Sequence, residues 1–386
     1  MRKFFEFQNA AKINCGDAAL LTIGKELSYL GAKKPLLLLS ANAVKLGVKA
    51  KVVNALTGSD VKEIATPDPI LAEVDLEYAR AQKETYLNEK CDAIIAVGGD
   101  DVMDTAKCVK LLLSQEWDEI LPVVAEATVK GKDIPLIAIP SENGSGKEAN
   151  GFVEVGEYYL SSPALVPNVV IIDEDVAMAA PAREVAACGA YALANAVEAY
   201  IESEETDVAA IYAEKAISLL AKNLVTAVVD GDNAEAVRAT ALAGTLAGVA
   251  YGAVPYGAAH ALAEGLHKAT GEPLEEMFAL TLVPAMKRAR EKYEDRIKTL
   301  YYLLVGATEY AETPDSERAE RAIASVEWLL SSLHASGNLP VKISETKINR
   351  ELFGAIADEA INKRASITAF GPIGKEEFIT MLNDAY

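Results

Sequence analysis

Only three histidines serve the 386-residue chain, and two of them share one helical stretch with a carboxylate. His260, Glu264 and His267 fall at i, i+4 and i+7, on one face of a helix, with Glu275 and Glu276 shortly after. Imidazole and carboxylate on one face are the donors a transition metal takes, and the same pair can move protons. An HxxxE spacing is also common by chance, so a polar helix face is the competing reading. His267 then belongs to the helix surface, and His334 lies in a late amphipathic helix without a motif.

Two loops offer anion chemistry. The apolar run 93–97 leads into Gly98-Gly99-Asp100-Asp101, and Asp104 and Lys107 follow on an expected helix. Backbone N–H groups and the positive helix end at such a turn can hold a pyrophosphate. Asp100 and Asp101 put carboxylates in that seat, where two unit charges about 4 Å apart interact by roughly 4 kcal/mol at a dielectric near 20. They would weaken a dinucleotide, or else cap the helix start with its own anions. The second loop, Pro140-Ser141-Glu142-Asn143-Gly144-Ser145-Gly146-Lys147-Glu148, follows the run 136–139. Its small residues suit contact with a nucleotide at the carboxyl ends of strands.

These groups need a scaffold, and composition allows one. Half the residues are apolar (51%) and 24% are charged, enough for a sizeable core and for two domains. Lys+Arg 37 against Asp+Glu 57 gives a net charge of −20, which repels phosphate backbones and anionic lipid. Nucleic-acid and membrane partners are therefore not expected; a small-molecule ligand is. No apolar stretch is long enough to span a membrane, and no signal peptide is expected at the start. Cys15, Cys91, Cys108 and Cys188 lack CxxC spacing, which fits reduced thiols in a cytoplasm.

Residues 35–40, 93–99, 135–140 and 168–173 are near-continuous apolar runs, with 62–66 a weaker edge candidate. Such runs predict strands covered on both faces, in a doubly wound α/β domain over 1–181, with helices over 43–58 and 71–91. From 182 to 386 the texture changes to helical spacing over 182–202, 207–229, 234–251, 258–269 and 316–335. An all-helical second domain follows, ending in a turn near 369–372 and a closing helix over 376–386.

In this order, GGDDVMDTAK (98–107), PSENGSGKE (140–148), GAYALANAVEAY (189–200) and the stretch 247–276 resemble the iron-containing (group III) alcohol dehydrogenase family. That family carries GGGSxxDxAK, PTTxGTGSE, Gly-x-Asp-Ala-Leu-x-His-Ala-x-Glu-Ala and later HxxxH and PHG. The resemblance covers essentially the whole chain. It implies the two-domain fold shared with dehydroquinate synthases, an NAD(P)-linked alcohol or aldehyde reaction, a ligand between the domains, and a homodimer as the assembly to test. In the family an Asp, and a His four residues on, join two later histidines around Fe(II) or Zn, and the ion polarises the alcohol oxygen during hydride transfer.

The resemblance places Tyr191, Asn195, His260 and Leu274 at those four ligand positions. His260 is the one surviving family ligand; Asn and neutral Tyr are poor donors and Leu is none. Fe or Zn in the family geometry is therefore not expected. The second histidine of HxxxH is Glu264. Tyr191 and His260 are the candidates for a metal-independent general acid, and a polar lining of Tyr191, Asn195 and Glu264 is the structural alternative.

Cofactor positions depart as well. The third glycine and the serine of the first motif are Asp100 and Asp101, whereas Asp104 and Lys107 persist; the paired threonines are Ser141 and Glu142. Ser40 replaces the aspartate that accepts the adenosine ribose, and a small neutral residue tolerates the extra phosphate of NADP better than an aspartate would. Weak NAD(P) binding is expected. The activity implied is weak, metal-independent or lost, the alternative being a catalytically silent member acting as a binding or partner subunit.

Overall fold

The computed structural model describes residues 7–70, 76–114, 133–141, 144–155, 158–203, 208–254, 257–362, 367–368 and 371–386. Two compact units form, one of Gln8–Ala180 and one of Pro181–Tyr386 together with Phe7.

The first unit is built on a five-stranded sheet. Its strands are β1 (Lys12–Gly16), β2 (Pro35–Leu39), β3 (Ala93–Gly98), β4 (Leu136–Pro140) and β7 (Val169–Asp173), in the order β1-β7-β4-β3-β2. All four pairings are parallel. Parallel strands need helical crossovers on both faces, and side-chain alternation shows both faces covered. Leu36, Leu38, Ile94 and Ala96 enter one core cluster, whereas Leu37, Leu39, Ile95 and Val97 enter the other.

The helices are α1 (Ile23–Tyr29), α2 (Ala41–Lys45), α3 (Val48–Ala55), α4 (Leu76–Asn88), α5 (Asp100–Ser114) and the short α6 (Glu174–Ala177). A hairpin of β5 (Phe152–Val155) and β6 (Tyr158–Ser161) adds Val153, Val155 and Leu160 to the core around α5.

Some expectations needed correction here. The helix over 43–58 is two helices, because Gly47 adopts φ +77°, a left-handed turn that breaks the ladder. The edge-strand candidate 62–66 is only an isolated bridge, Ala65 to Leu36. The sheet's edges are β2 and β1, and the apolar-run criterion misses β1 because its sequence KINCG mixes polar residues with apolar ones and is half-exposed. Of the helix expected over 71–91, residues 71–75 lie outside those described.

The second unit contains α7 (Ala182–Glu202), α8 (Val208–Val229), α9 (Ala234–Tyr251), α10 (Ala258–Thr270), α11 (Leu274–Val305), α12 (Ala307–Glu312), α13 (Asp315–Gly337), α14 (Phe353–Asn362) and α15 (Lys375–Asp384). The short pair β8 (Ile367–Thr368) and β9 (Gly371–Pro372) precedes the last helix, and 369–370 lie outside the described residues. Helical spacing alone did not predict α11. It contains Pro284, which lacks a donor, and bends at Tyr293 (φ −125°, ψ 39°) before a heavily charged second half. Gly189 lets α7 and α8 approach: a Cβ there would meet Leu224 Cδ1 at 2.3 Å.

Candidate active site and glycine loops

The helical unit places its chemistry where α7 and α10 meet. Tyr191, Asn195 and Glu198 occupy i, i+4 and i+7 of α7 and present one face to His260 on α10. All four side chains are buried. His260 Nδ1 lies 2.5 Å from Glu198 Oε2, and Nε2 lies 2.9 Å from Asn195 Oδ1. The other carboxylate oxygen of Glu198 accepts from the Ala259 backbone N–H at 2.6 Å, at the start of α10.

Gly257 makes room for this arrangement. A Cβ at 257 would stand 2.0 Å from Glu198 Cδ, so any side chain there would expel the carboxylate.

Aromatic rings wall the imidazole. Tyr251 stacks on it with centroids 4.1 Å apart, and Phe278 meets it edge-on at 4.6 Å. Tyr191 stacks on Phe278 at 4.2 Å and tilts toward His260 at 5.8 Å.

The predicted residues His260, Tyr191 and Asn195 are thus brought together. Glu264 is buried one turn beyond His260, and Leu274 is half-buried at the first position of α11. Glu198 was not among the predicted site residues. Glu276, offered as a replacement ligand, is committed to Arg183, with Nε 2.7 Å and Nη2 2.8 Å from its oxygens.

His267 is not simply surface. Its Nδ1 donates to the Glu272 carbonyl at 2.6 Å beyond the helix end, where Gly271 turns left-handed. His334 closes α13 in the same way, donating to the Leu339 carbonyl at 2.9 Å past left-handed Asn338. Among the described residues no group of three or more His, Cys, Asp or Glu side chains is placed to hold a metal ion.

The glycine loops sit side by side because β3 and β4 pair in register, Gly98 opposite Pro140. Gly98 is required by packing: a Cβ would fall 2.4 Å from Val102 Cγ2 and 3.0 Å from Ser40 Cβ. Ser40 caps α2, its Oγ accepting from Ala43 N at 2.9 Å. Gly99 is half-buried, Asp101 is exposed and Ser141 is buried, its backbone N–H donating to the Gly98 carbonyl. Glu142 lies outside the described residues.

Asp100, the first residue of α5, is buried and receives a hydrogen bond from Ser145 Oγ. Lys147, on the second loop, reaches back to Asp104 Oδ2 at 2.6 Å and Asp100 Oδ2 at 3.8 Å. Counting carboxylates alone therefore overstates the negative charge of this seat, since a cation from the neighbouring strand's loop is paired with it.

Behind them Lys107 is fully buried and donates to the Phe152 carbonyl (2.6 Å) and Asn150 Oδ1 (3.2 Å). Burial pushes its amine down to about 8, and nearby Asp104 only partly offsets this. The same burial pushes the adjacent Cys108 thiol up to about 12.

A parallel sheet with paired glycine loops at its strand ends is joined in sequence to a helical unit carrying a buried histidine. Residues 10–174 match the family described as iron-containing alcohol dehydrogenase, and 185–386 match its C-terminal domain. The chain belongs to the iron-containing alcohol dehydrogenase family.

It is 26% identical over 337 residues to a choline dehydrogenase of Bacillus subtilis, covering 85% of this chain and 82% of that one. It is 28% identical over 257 residues to an NAD-dependent methanol dehydrogenase of Bacillus methanolicus, covering 64% and 66%. Its fold superposes on a crystal structure of 1,3-propanediol oxidoreductase with a TM-score of 0.90, at 23% identity and full coverage of both chains.

Proposed function

We propose that this chain is an NAD(P)-linked alcohol/aldehyde oxidoreductase by descent whose metal-assisted reaction is replaced by a weak, metal-independent one or is lost. The observation that carries this reading is the contact of His260 Nε2 with the Asn195 amide, while Glu198 holds Nδ1 as it would in a histidine of either role. A metal ligand must offer a lone pair to the ion, and Nε2 instead faces an amide 2.9 Å away. Tyr191, Asn195 and Leu274 at the remaining family positions do not make up the donor set that Fe(II) or Zn needs. The residues present do not fit the ion.

Proton movement without an ion falls to His260, Tyr191 and Glu264, with Glu198 orienting the imidazole. NAD(P) is the expected cofactor class, consistent with the NAD-dependent relative, and its hold is weak at the Asp100–Asp101 turn. Ser40 in place of an aspartate favours NADP over NAD. The partner is a small molecule, and a cytoplasmic location suits four free cysteines.

A steady-state assay of NADPH and NADH oxidation with short aldehydes, with and without a chelator, tests the reading. Slow turnover indifferent to chelation supports it; fast turnover abolished by chelation and restored by Fe(II) overturns it.

A silent binding or partner subunit is the second reading. It is favoured by the way the changes concentrate at the ligand helix and the glycine loop while the fold stays at TM-score 0.90 to a relative. No turnover with any aldehyde would select it.

A further inference from the structure

We propose that Lys147 is the specificity-determining residue of the glycine loop: a cation that Asp100 and Asp104 hold and so withhold from a pyrophosphate. The inference rests on the reading of this loop as the family's dinucleotide loop, and it names the cation that the loop's carboxylates keep from a phosphate. Strand register brings the two loops together, and Ser145 and Lys147 both reach across to α5. The pairing is enclosed, with side-chain exposures of 13% for Lys147, 8% for Asp100 and 3% for Asp104.

Nearby, Glu148 is buried and accepts from Gly146 N at 3.0 Å, and Lys107 is fully buried behind. Three carboxylates (Asp100, Asp104, Glu148) thus face two amines (Lys107, Lys147), leaving one negative charge in excess before any ligand arrives. Asp100 and Asp101 already place anions in the first turn of α5, where the helix dipole would otherwise favour a phosphate. The motif that this loop resembles carries serine at the position of Lys147. Serine offers a phosphate a hydroxyl and leaves no cation for carboxylates at 100 and 104.

An occupied latch has a particular signature: neutralising one carboxylate releases the lysine toward an incoming anion. The probe is ADP-ribose, which carries the adenosine and pyrophosphate without the nicotinamide, titrated calorimetrically into the full chain. Asp100→Asn keeps an acceptor for Ser145 and removes the charge; it should bind at least about tenfold tighter than the wild type, with the gain shrinking as salt rises. Asp100→Asn/Lys147→Ser should lose most of that gain. Lys147→Ser alone should bind no tighter and melt at a lower temperature, because two buried carboxylates lose their counter-ion.

The latch is overturned if Asp100→Asn binds no tighter than the wild type, or if the double variant binds as tightly as Asp100→Asn. Either result leaves the metal-independent reading standing. Micromolar binding by the wild type would overturn the weak-cofactor reading and the latch together. Should Asp100→Asn not fold, Asp104→Asn makes the same test, since Lys147 lies 2.6 Å from that carboxylate.

Discussion

The sheet unit and the helical unit hold buried charge by different means. In the sheet unit two long flexible amines from separate segments are enclosed, Lys147 paired with Asp104 and Asp100 and Lys107 donating to Asn150 and the Phe152 carbonyl. Around His260, one rigid imidazole is clamped between Glu198 and Asn195 and walled by Tyr251 and Phe278. The first network is built from long flexible chains, the second from rigid rings and short side chains on two helices.

The clamp should be the costlier to break. Glu198→Ala strands His260 Nδ1 and the Ala259 N–H without their acceptor inside the protein, a loss of about 3–5 kcal/mol in denaturant unfolding. Gly257→Ala should cost several kcal/mol by displacing the same carboxylate, and the two losses should be far from additive in a double-mutant cycle. Additive losses would mean that Gly257 and Glu198 act independently.

The lysine network should respond to pH instead. Burial lowers the Lys107 amine from 10.5 to about 8, so between those values the unfolded chain binds more protons than the folded one. Stability therefore rises with pH through that window, by about 3 kcal/mol if the whole shift is realised, and Lys107 destabilises most below it. Unfolding measured on either side of the window should show this rise in the wild type and not in Lys107→Met. A slope shared by both would assign it to other groups.

The smallest effect is chemical. Cys91 and Cys108 are buried, with thiols pushed up to about 11 and about 12, and Cys188 is buried on α7, whereas Cys15 is exposed on the edge strand. Brief alkylation of the native protein should label Cys15 alone by peptide mass mapping. Labelling at Cys108 would mean that the core around Lys107 opens to solvent.

Much of this architecture is legible in the sequence, for stated reasons. Runs such as PLLLL and AIIAVG read as covered strands because both sheet faces are buried, and helical spacing over 182–202 and 234–251 coincides with α7 and α9. The long helix α11 is obscured by Pro284 and by a charged second half that carries little apolar periodicity.

At the site, Tyr191, Asn195 and His260 are found through motif alignment. Glu198 is missed although its place at i+7 from Tyr191, on the same face, signals it. Lys147 is missed for a different reason. Its partners are 43 and 47 positions away by residue number (147 − 104 and 147 − 100), and only the pairing of Gly98 with Pro140 brings them within reach.

The central claim is that His260 serves neighbouring side chains rather than an ion. Elemental analysis of protein purified from iron- and zinc-supplemented cells, beside the variant Tyr191→Asp/Asn195→His/Leu274→His, tests it most directly. The account predicts Fe and Zn well below one ion per wild-type chain and stoichiometric metal once the three donors are supplied. Stoichiometric metal in the wild type that vanishes in His260→Ala would contradict it.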